Sequence, residues 1–120
     1  MLSSSRPLLA LVLFLAVGGL AGTGCGEDLP TVDCTTSAVP AYAMVNAFPV
    51  SCSTCHASTL TGSSRFGAPA NIDFDTFAAA MPHAMAAARA VFAGAMPPTG
   101  VLPAGDKEVL YRWALCGAPP

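Results

Sequence analysis

The chain starts with one long apolar run, and after it the apolar positions come in short segments separated by Pro, Gly and polar residues. The run covers 8–20, follows the single cation Arg6, and decays into small residues. A helix that spans a membrane needs about 20 mainly apolar residues, so this run is short, although an uncleaved membrane anchor is the alternative. Cation, apolar run and small residues in this order indicate a secretory signal peptide. We therefore predict that the chain is exported.

The segments beyond residue 38 predict helices and irregular loops. A first helix is predicted over 41–48, after Pro40 and with Pro49 ending it. Ser, Thr, Gly and Pro dominate 58–71, which indicates a loop. The three prolines of 95–103 argue against regular structure there as well.

Further helices are predicted in the second half of the chain. Asp73 is a suitable N-cap for a helix over 74–81, and Pro82 suits the first turn of another helix, which Gly94 ends. A last helix is predicted over 106–116, where apolar residues recur at helical spacing. No two-residue alternation is long enough for a sheet. The predicted fold class is therefore all-α, a small helical domain.

Charge and size narrow the function classes. Five Lys and Arg residues stand against seven Asp and Glu, for a net charge of −2 at pH 7. This composition offers no basic surface for nucleic acid, so no nucleic-acid partner is expected. A domain this small has a limited core and often adds a disulfide, a metal or a cofactor.

The end of the apolar run resembles a bacterial lipoprotein signal, in which a Cys after small residues becomes the lipid-modified amino terminus. Gly24 and Cys25 fit that pattern, whereas Gly22 departs from the aliphatic residue usual at its position. The resemblance implies a signal peptide over 1–24 and lipid on Cys25. Ordinary cleavage nearby, leaving Cys25 as a free thiol, is the alternative.

The lipoprotein interpretation divides the rest of the chain in two. Residues 25–37 are short, polar and acidic, which is typical of a tether, and 38–120 form the domain. The protein would be held on a membrane and face the periplasm. Gly26 stands where an Asp retains lipoproteins at the inner membrane of enteric bacteria, so the outer membrane is favoured.

The five cysteines need an explanation in an exported chain. Cys25 would carry lipid, and Cys52 and Cys55 belong to a motif considered below. Cys34 and Cys116 remain, one near each end of the mature chain, in a compartment where disulfides persist. A bond between them would close a long loop, but the sequence leaves the pairing open.

The motif Cys52-Ser-Thr-Cys-His56 has four interpretations. A thioredoxin-like dithiol needs a strand–helix context, and no strand is predicted before Cys52. A zinc site needs a second pair of ligands, yet the only other histidine is His83. A local disulfide leaves His56 unexplained. Covalent haem attachment, for which C-x-x-C-H is the signature, accounts for all three side chains.

The haem chemistry assigns a role to each position of the motif. In a helical turn, Cys52 and Cys55 lie three residues apart on one face and His56 follows on the same side. The two thiols can then form thioethers to the two vinyl groups of the porphyrin, and the imidazole reaches the iron. Export supports this interpretation, because bacteria attach haem covalently outside the cytoplasm.

An electron-carrying haem iron needs a sixth ligand. Met81, His83 and Met85 lie in an alanine-rich helical stretch, where methionine is more often core filler and His83 a surface residue. Met96 lies instead in a Gly-Ala-Met-Pro-Pro loop whose prolines fix the backbone. Met96 is therefore the preferred candidate, with His83 as the alternative.

Together these features resemble a small class I-type cytochrome c. The similarity covers roughly 40–117: a helix before the cysteine motif, the "GAMPP" loop, and a terminal helix with "LYRWALCG". It implies one covalent haem c, with Cys52 and Cys55 as thioether sites, His56 as proximal iron ligand and Met96 as distal ligand. It also implies that the first and last helices pack together.

Two further consequences concern side chains outside the ligand set. A Cys34–Cys116 bond would lock the contact between the terminal helices, although such a bridge is not a general feature of the family. Arg65 is interpreted either as a partner of a haem propionate or as a solvated loop residue. Pocket wall and core are assigned to Phe74, Phe77, Phe92, Leu110 and Trp113.

The expected function is one-electron transfer in the cell envelope, with redox proteins of unknown identity as partners. No enzyme activity and no small-molecule substrate are expected. The alternative is a five-coordinate or bis-His c-type haem sensor or peroxidase-like protein, but no distal His/Arg pair is evident beyond His83 and Arg65. A structural lipoprotein with a cystine in the motif is the third interpretation.

Overall fold

The computed structural model describes residues 29–120, which are helical and contain no strand. Three α-helices are present: α1 (Phe77–Ala80), α2 (Ala84–Phe92) and α3 (Ala104–Leu115). Short 3₁₀ helices cover Tyr42–Met44, Gly62–Arg65 and Met81–His83, and a π-helix covers Phe48–Cys52. The predicted all-α class is confirmed for this part of the chain. The predicted signal peptide, the lipid site Cys25 and the first residues of the tether lie outside the described residues.

The first predicted helix is placed differently. Instead of one helix over 41–48, the chain forms the 3₁₀ turn Tyr42–Met44 and then the π-helix Phe48–Cys52. Pro49 was expected to end a helix, but it occupies the first turn of one. Proline is tolerated there because the first-turn N–H groups have no partner within the helix. The helical turn consequently runs into the cysteine motif.

The predicted N-cap of the next helix is also wrong. Helix α1 begins at Phe77, and the Thr76 hydroxyl accepts a hydrogen bond from the Ala79 N–H at 3.3 Å. Asp73 is instead buried and bonded to Arg65. Both residues are favourable N-caps, so residue type alone did not distinguish them.

The remaining helix ends follow the sequence closely. Helix α2 follows the 3₁₀ turn that contains Pro82, and it ends two residues before Gly94, which has φ of +71°. Helix α3 ends two residues before Gly117, at φ +96°. Glycine reaches positive φ without steric cost, so it ends helices readily. Residues 95–103 contain no helix or strand, as predicted.

A cluster of aromatic rings forms the core beside the motif. Phe48 is fully buried, stacks on Phe74 with ring centroids 5.3 Å apart, and meets Trp113 edge-on at 5.1 Å. The Trp113 indole N–H donates to the Pro119 carbonyl at 2.8 Å, and the Tyr42 N–H donates to the same oxygen at 3.2 Å. The first and last helical segments are therefore packed against each other through Phe48 and Trp113.

The ends of the described chain are tied together covalently. Cys34 and Cys116 form a disulfide with their Cα atoms 5.5 Å apart. Asp33 next to it accepts hydrogen bonds from Thr35 and Thr36, and these bonds hold the pKa of its carboxyl well below the usual value. Leu29 packs against the core, so this part of the predicted tether lies on the domain. No helix within 29–120 has both the length and the apolar character to cross a membrane.

Candidate functional site

The cysteine motif occupies a tight helical turn that continues the π-helix. The Ser53 N–H donates to the Phe48 carbonyl at 2.9 Å, five residues back, and the His56 N–H donates to the Cys52 carbonyl at 2.9 Å. The Cys55 N–H bonds to the same Cys52 carbonyl at 3.2 Å. These bonds place the motif in a helical turn, which is the conformation that covalent haem attachment was expected to need.

Cys52, Cys55, His56 and Met96 all line one cavity of about 360 Å³. This size lies within the range of roughly 300–1,000 Å³ common for small-molecule and cofactor sites. Apolar side chains from separate parts of the chain make most of the wall: Ile72, Phe74, Val91, Leu110 and the alanines of α2 at 86, 87 and 90. The cavity thus brings together the four residues that the sequence singled out for haem.

Local packing fixes the ring of His56. The residue is 9% exposed, and its Nδ1 lies 2.8 Å from the carbonyl oxygen of Ile72. A carbonyl can only accept a hydrogen bond, so Nδ1 carries the proton of the neutral imidazole, and in that tautomer Nε2 has the lone pair. The Phe74 ring meets the imidazole edge-on with centroids 5.5 Å apart. Such a backbone bond on the other nitrogen is the usual support for a metal-binding histidine.

The Cys52 thiol lacks the lowered pKa of a thioredoxin-type nucleophile. Cys52 and Cys55 are both free, and burial raises the pKa of the Cys52 thiol to about 11. A thioredoxin-type cysteine needs a lowered pKa, because the thiolate is the nucleophile. Cys52 is therefore a protonated, apolar-shielded thiol at neutral pH.

Met96 differs from the other candidates for a sixth ligand. It lines the cavity together with Pro97 and Pro98. Met81 and Met85 do not line it, although the exposed fractions of Met81, Met85 and Met96 are similar at 45%, 40% and 39%. His83 is outside the cavity as well, and its Nε2 lies 3.0 Å from the Asn71 carbonyl oxygen. Of these four residues, only Met96 shares a cavity with His56.

Arg65 is an internal residue of the loop after the motif. It is 6% exposed, so its interpretation as a solvated loop residue is wrong, and its guanidinium donates within the protein. Nε bonds to the Ala68 carbonyl, Nη1 to those of Ala57 and Leu60, and Nη2 to those of Pro69 and Ile72. Nη2 also forms an ion pair with Asp73 at 2.8 Å. These bonds hold 57–73 as one folded loop. Arg65 also lines the cavity, so its pairing with a haem propionate stays a prediction.

Asp75 ties the chain that follows the motif to the region before α1. Its Oδ2 accepts from the Ser58 hydroxyl at 2.6 Å and from the Ser58 N–H at 3.1 Å. The hydroxyl bond is the main reason why the pKa of Asp75 lies below its usual value. The loop beside His56 is consequently fixed at both Ser58 and Arg65.

The residues assigned to the pocket wall and the core are predicted correctly in part. Phe74 and Leu110 line the cavity, Trp113 is fully buried in the core, and Phe77 is partly buried against that core. Phe92 is the exception, since it is 40% exposed on α2. It does not line the cavity, and its ring meets that of Tyr111 edge-on with centroids 6.4 Å apart.

Comparisons with protein families, curated proteins and solved structures find no significant match to this chain. Residues 29–120 contain no group of three or more His, Cys, Asp or Glu side chains placed to hold a metal ion. The case for a function therefore depends on the geometry of the cavity and on the chemistry of its residues.

Proposed function

We propose that this protein is a one-electron carrier of the cell envelope with a single c-type haem, similar to a small class I-type cytochrome c. The observation that carries the proposal is the shared cavity of Cys52, Cys55, His56 and Met96. Two thiols, one imidazole and one thioether are the donor set that such a haem requires. Cys52 and Cys55 would hold the haem as thioethers, and His56 and Met96 would ligate its iron.

The residues present fit the group. His56 offers Nε2 because its Nδ1 proton is committed to Ile72. Ile72, Phe74, Val91 and Leu110 give the cavity a mainly apolar wall, which suits a flat apolar cofactor. When bound, haem would supply a centre that takes up and releases one electron. An apolar surrounding and a methionine ligand both favour the ferrous state.

The protein would have no substrate chemistry of its own and would exchange electrons with redox proteins. The expected export signal over 1–24 supports a location outside the cytoplasm, where haem is attached. Lipid on Cys25 would retain the domain at a membrane surface, since the several acyl chains of a bacterial lipoprotein hold firmly where a single chain does not.

Carbon monoxide binding tests the ligand assignment. The full chain would be produced in a host that attaches c-type haem, and the reduced protein titrated with carbon monoxide at neutral pH. Met96→Ala should open the sixth position, so we expect it to bind carbon monoxide while the wild type does not. Met85→Ala is the matched control, because Met85 is a methionine that does not line the cavity.

His83→Ala separates the two sixth-ligand candidates. We expect this variant to retain the spectrum of the wild type, since His83 bonds to Asn71 outside the cavity. Carbon monoxide binding after loss of His83, with Met96→Ala unaffected, would show bis-His ligation. Ready binding by the wild type would favour a five-coordinate sensor.

A further inference from the structure

One backbone oxygen beside the motif accepts two hydrogen bonds. The carbonyl of Ile72 lies 2.8 Å from Nδ1 of His56 and 3.2 Å from Nη2 of Arg65. Arg65 is buried, as is its partner Asp73. The acceptor that orients the imidazole is therefore shared with a buried cation.

When one carbonyl oxygen accepts two hydrogen bonds, each bond is weaker than it would be alone. The guanidinium draws electron density toward itself, so less remains for the His56 N–H than an unshared carbonyl would offer. A weaker bond leaves the Nδ1 proton more firmly on the ring and makes the imidazole a poorer electron donor through Nε2. The hydrogen bonding of a ligating histidine tunes its basicity and the potential of the metal.

We propose that Arg65 is a positioning residue that limits the hydrogen bond from His56 to Ile72 and so raises the reduction potential of the haem-loaded protein. This inference rests on the proposed function. Asp73 acts against Arg65, because its carboxylate lies 2.8 Å from the guanidinium and partly neutralises the positive charge. Removing the cation should therefore lower the reduction potential, and removing the carboxylate charge should raise it.

Redox titration of two haem-loaded variants tests the sign. Arg65→Met frees the Ile72 carbonyl for His56 and removes the cation, so the potential should fall below that of the wild type. Asp73→Asn leaves the guanidinium in place without its counter-charge, so the potential should rise. Arg89→Met is the matched control, because it removes the same charge from an exposed site outside the cavity lining.

Opposite signs distinguish tuning from simple loosening of the loop. Arg65 bonds to five carbonyls, and a purely structural role would make both variants admit water and shift the potential in the same direction. If Arg65→Met does not fold, Arg65→Lys carries the test: it keeps the cation but loses the fork that reaches Ile72. We expect a smaller fall for Arg65→Lys.

The Nδ1 proton of His56 gives a second readout. In the reduced, haem-loaded protein its NMR resonance should move downfield in Arg65→Met, as expected for a stronger hydrogen bond, while Arg89→Met leaves it unchanged. A potential that is unchanged or raised in the Arg65 variants, or a resonance that is unchanged or moves upfield in Arg65→Met, would overturn the inference. Wild-type protein without haem would instead overturn the proposed function.

Discussion

The disulfide between Cys34 and Cys116 gives the prediction with the clearest magnitude. Replacing both residues, in Cys34→Ser/Cys116→Ser, removes the cross-link without leaving a free thiol at either position. Cys34 is exposed, so the serine there gives up little packing. The folded state should persist, because Pro119 still accepts hydrogen bonds from Tyr42 and Trp113.

The expected loss follows from loop closure in the unfolded chain. The two cysteines are 82 residues apart, and for a loop of that length the chain-entropy relation gives about 4.5 kcal/mol at 25 °C. Removal of native disulfides from small exported domains typically costs roughly 2–5 kcal/mol. The free energy of unfolding should therefore fall by an amount near the upper end of that range.

Urea unfolding of the haem-loaded protein, followed by far-ultraviolet circular dichroism, measures the difference. The wild type treated with a thiol reductant should lose as much stability as the double variant, and the double variant should not respond to reductant. Thioethers resist thiol reductants, so haem would remain attached throughout. A loss below about 1 kcal/mol in both comparisons would refute the loop-closure reasoning.

Three other substitutions test separate parts of the account. Thr76→Ala should cost roughly 1 kcal/mol of unfolding free energy, because it removes the only side chain that caps α1; equal stability in urea would show that the cap is unimportant. Asp75→Asn should flatten the loss of stability in acid: the pKa of Asp75 is lowered in the folded state, so its contribution is present above the unfolded pKa of about 4 and disappears as the pH falls further. Thermal unfolding between pH 5 and 2 checks that slope, and parallel curves for both proteins would contradict it. Cys25→Ser should release the protein from membranes, or block its processing, without changing the haem spectrum; wild-type protein recovered wholly in the soluble fraction would rule out the lipid.

The sequence predicted those features that depend on local chemistry. Gly94 and Gly117 end helices because they take positive φ values that other residues avoid. The spacing of Cys52, Cys55 and His56 needs only one helical turn to bring the side chains to one cavity. Met96 was separated from the other methionines because its neighbours are prolines, and the structure places it alone among the candidate sixth ligands with His56.

Features that depend on contacts between distant residues could not be predicted in this way. The donors of Arg65 reach backbone carbonyls between 57 and 72. Every residue has such a carbonyl, so residue types do not indicate which ones accept. That loop also takes Asp73 into the interior, which left Thr76 to cap the helix. Phe48, in the π-helical turn, packs between Phe74 and Trp113. Such tertiary packing is not visible in the local sequence, where Pro49 predicted the end of a helix.

Covalent attachment of haem is the most direct test of the central claim. The full chain and the variant Cys52→Ala/Cys55→Ala would be produced in a bacterial host with the machinery for c-type haem, then separated on a denaturing gel, stained for haem and weighed by mass spectrometry. We predict that the exported wild-type protein carries haem stain and a mass increase of one haem, and that the variant carries neither. Exported wild-type protein that has the mass of the polypeptide alone, with no haem stain, would contradict the assignment of Cys52, Cys55 and His56 to a haem site.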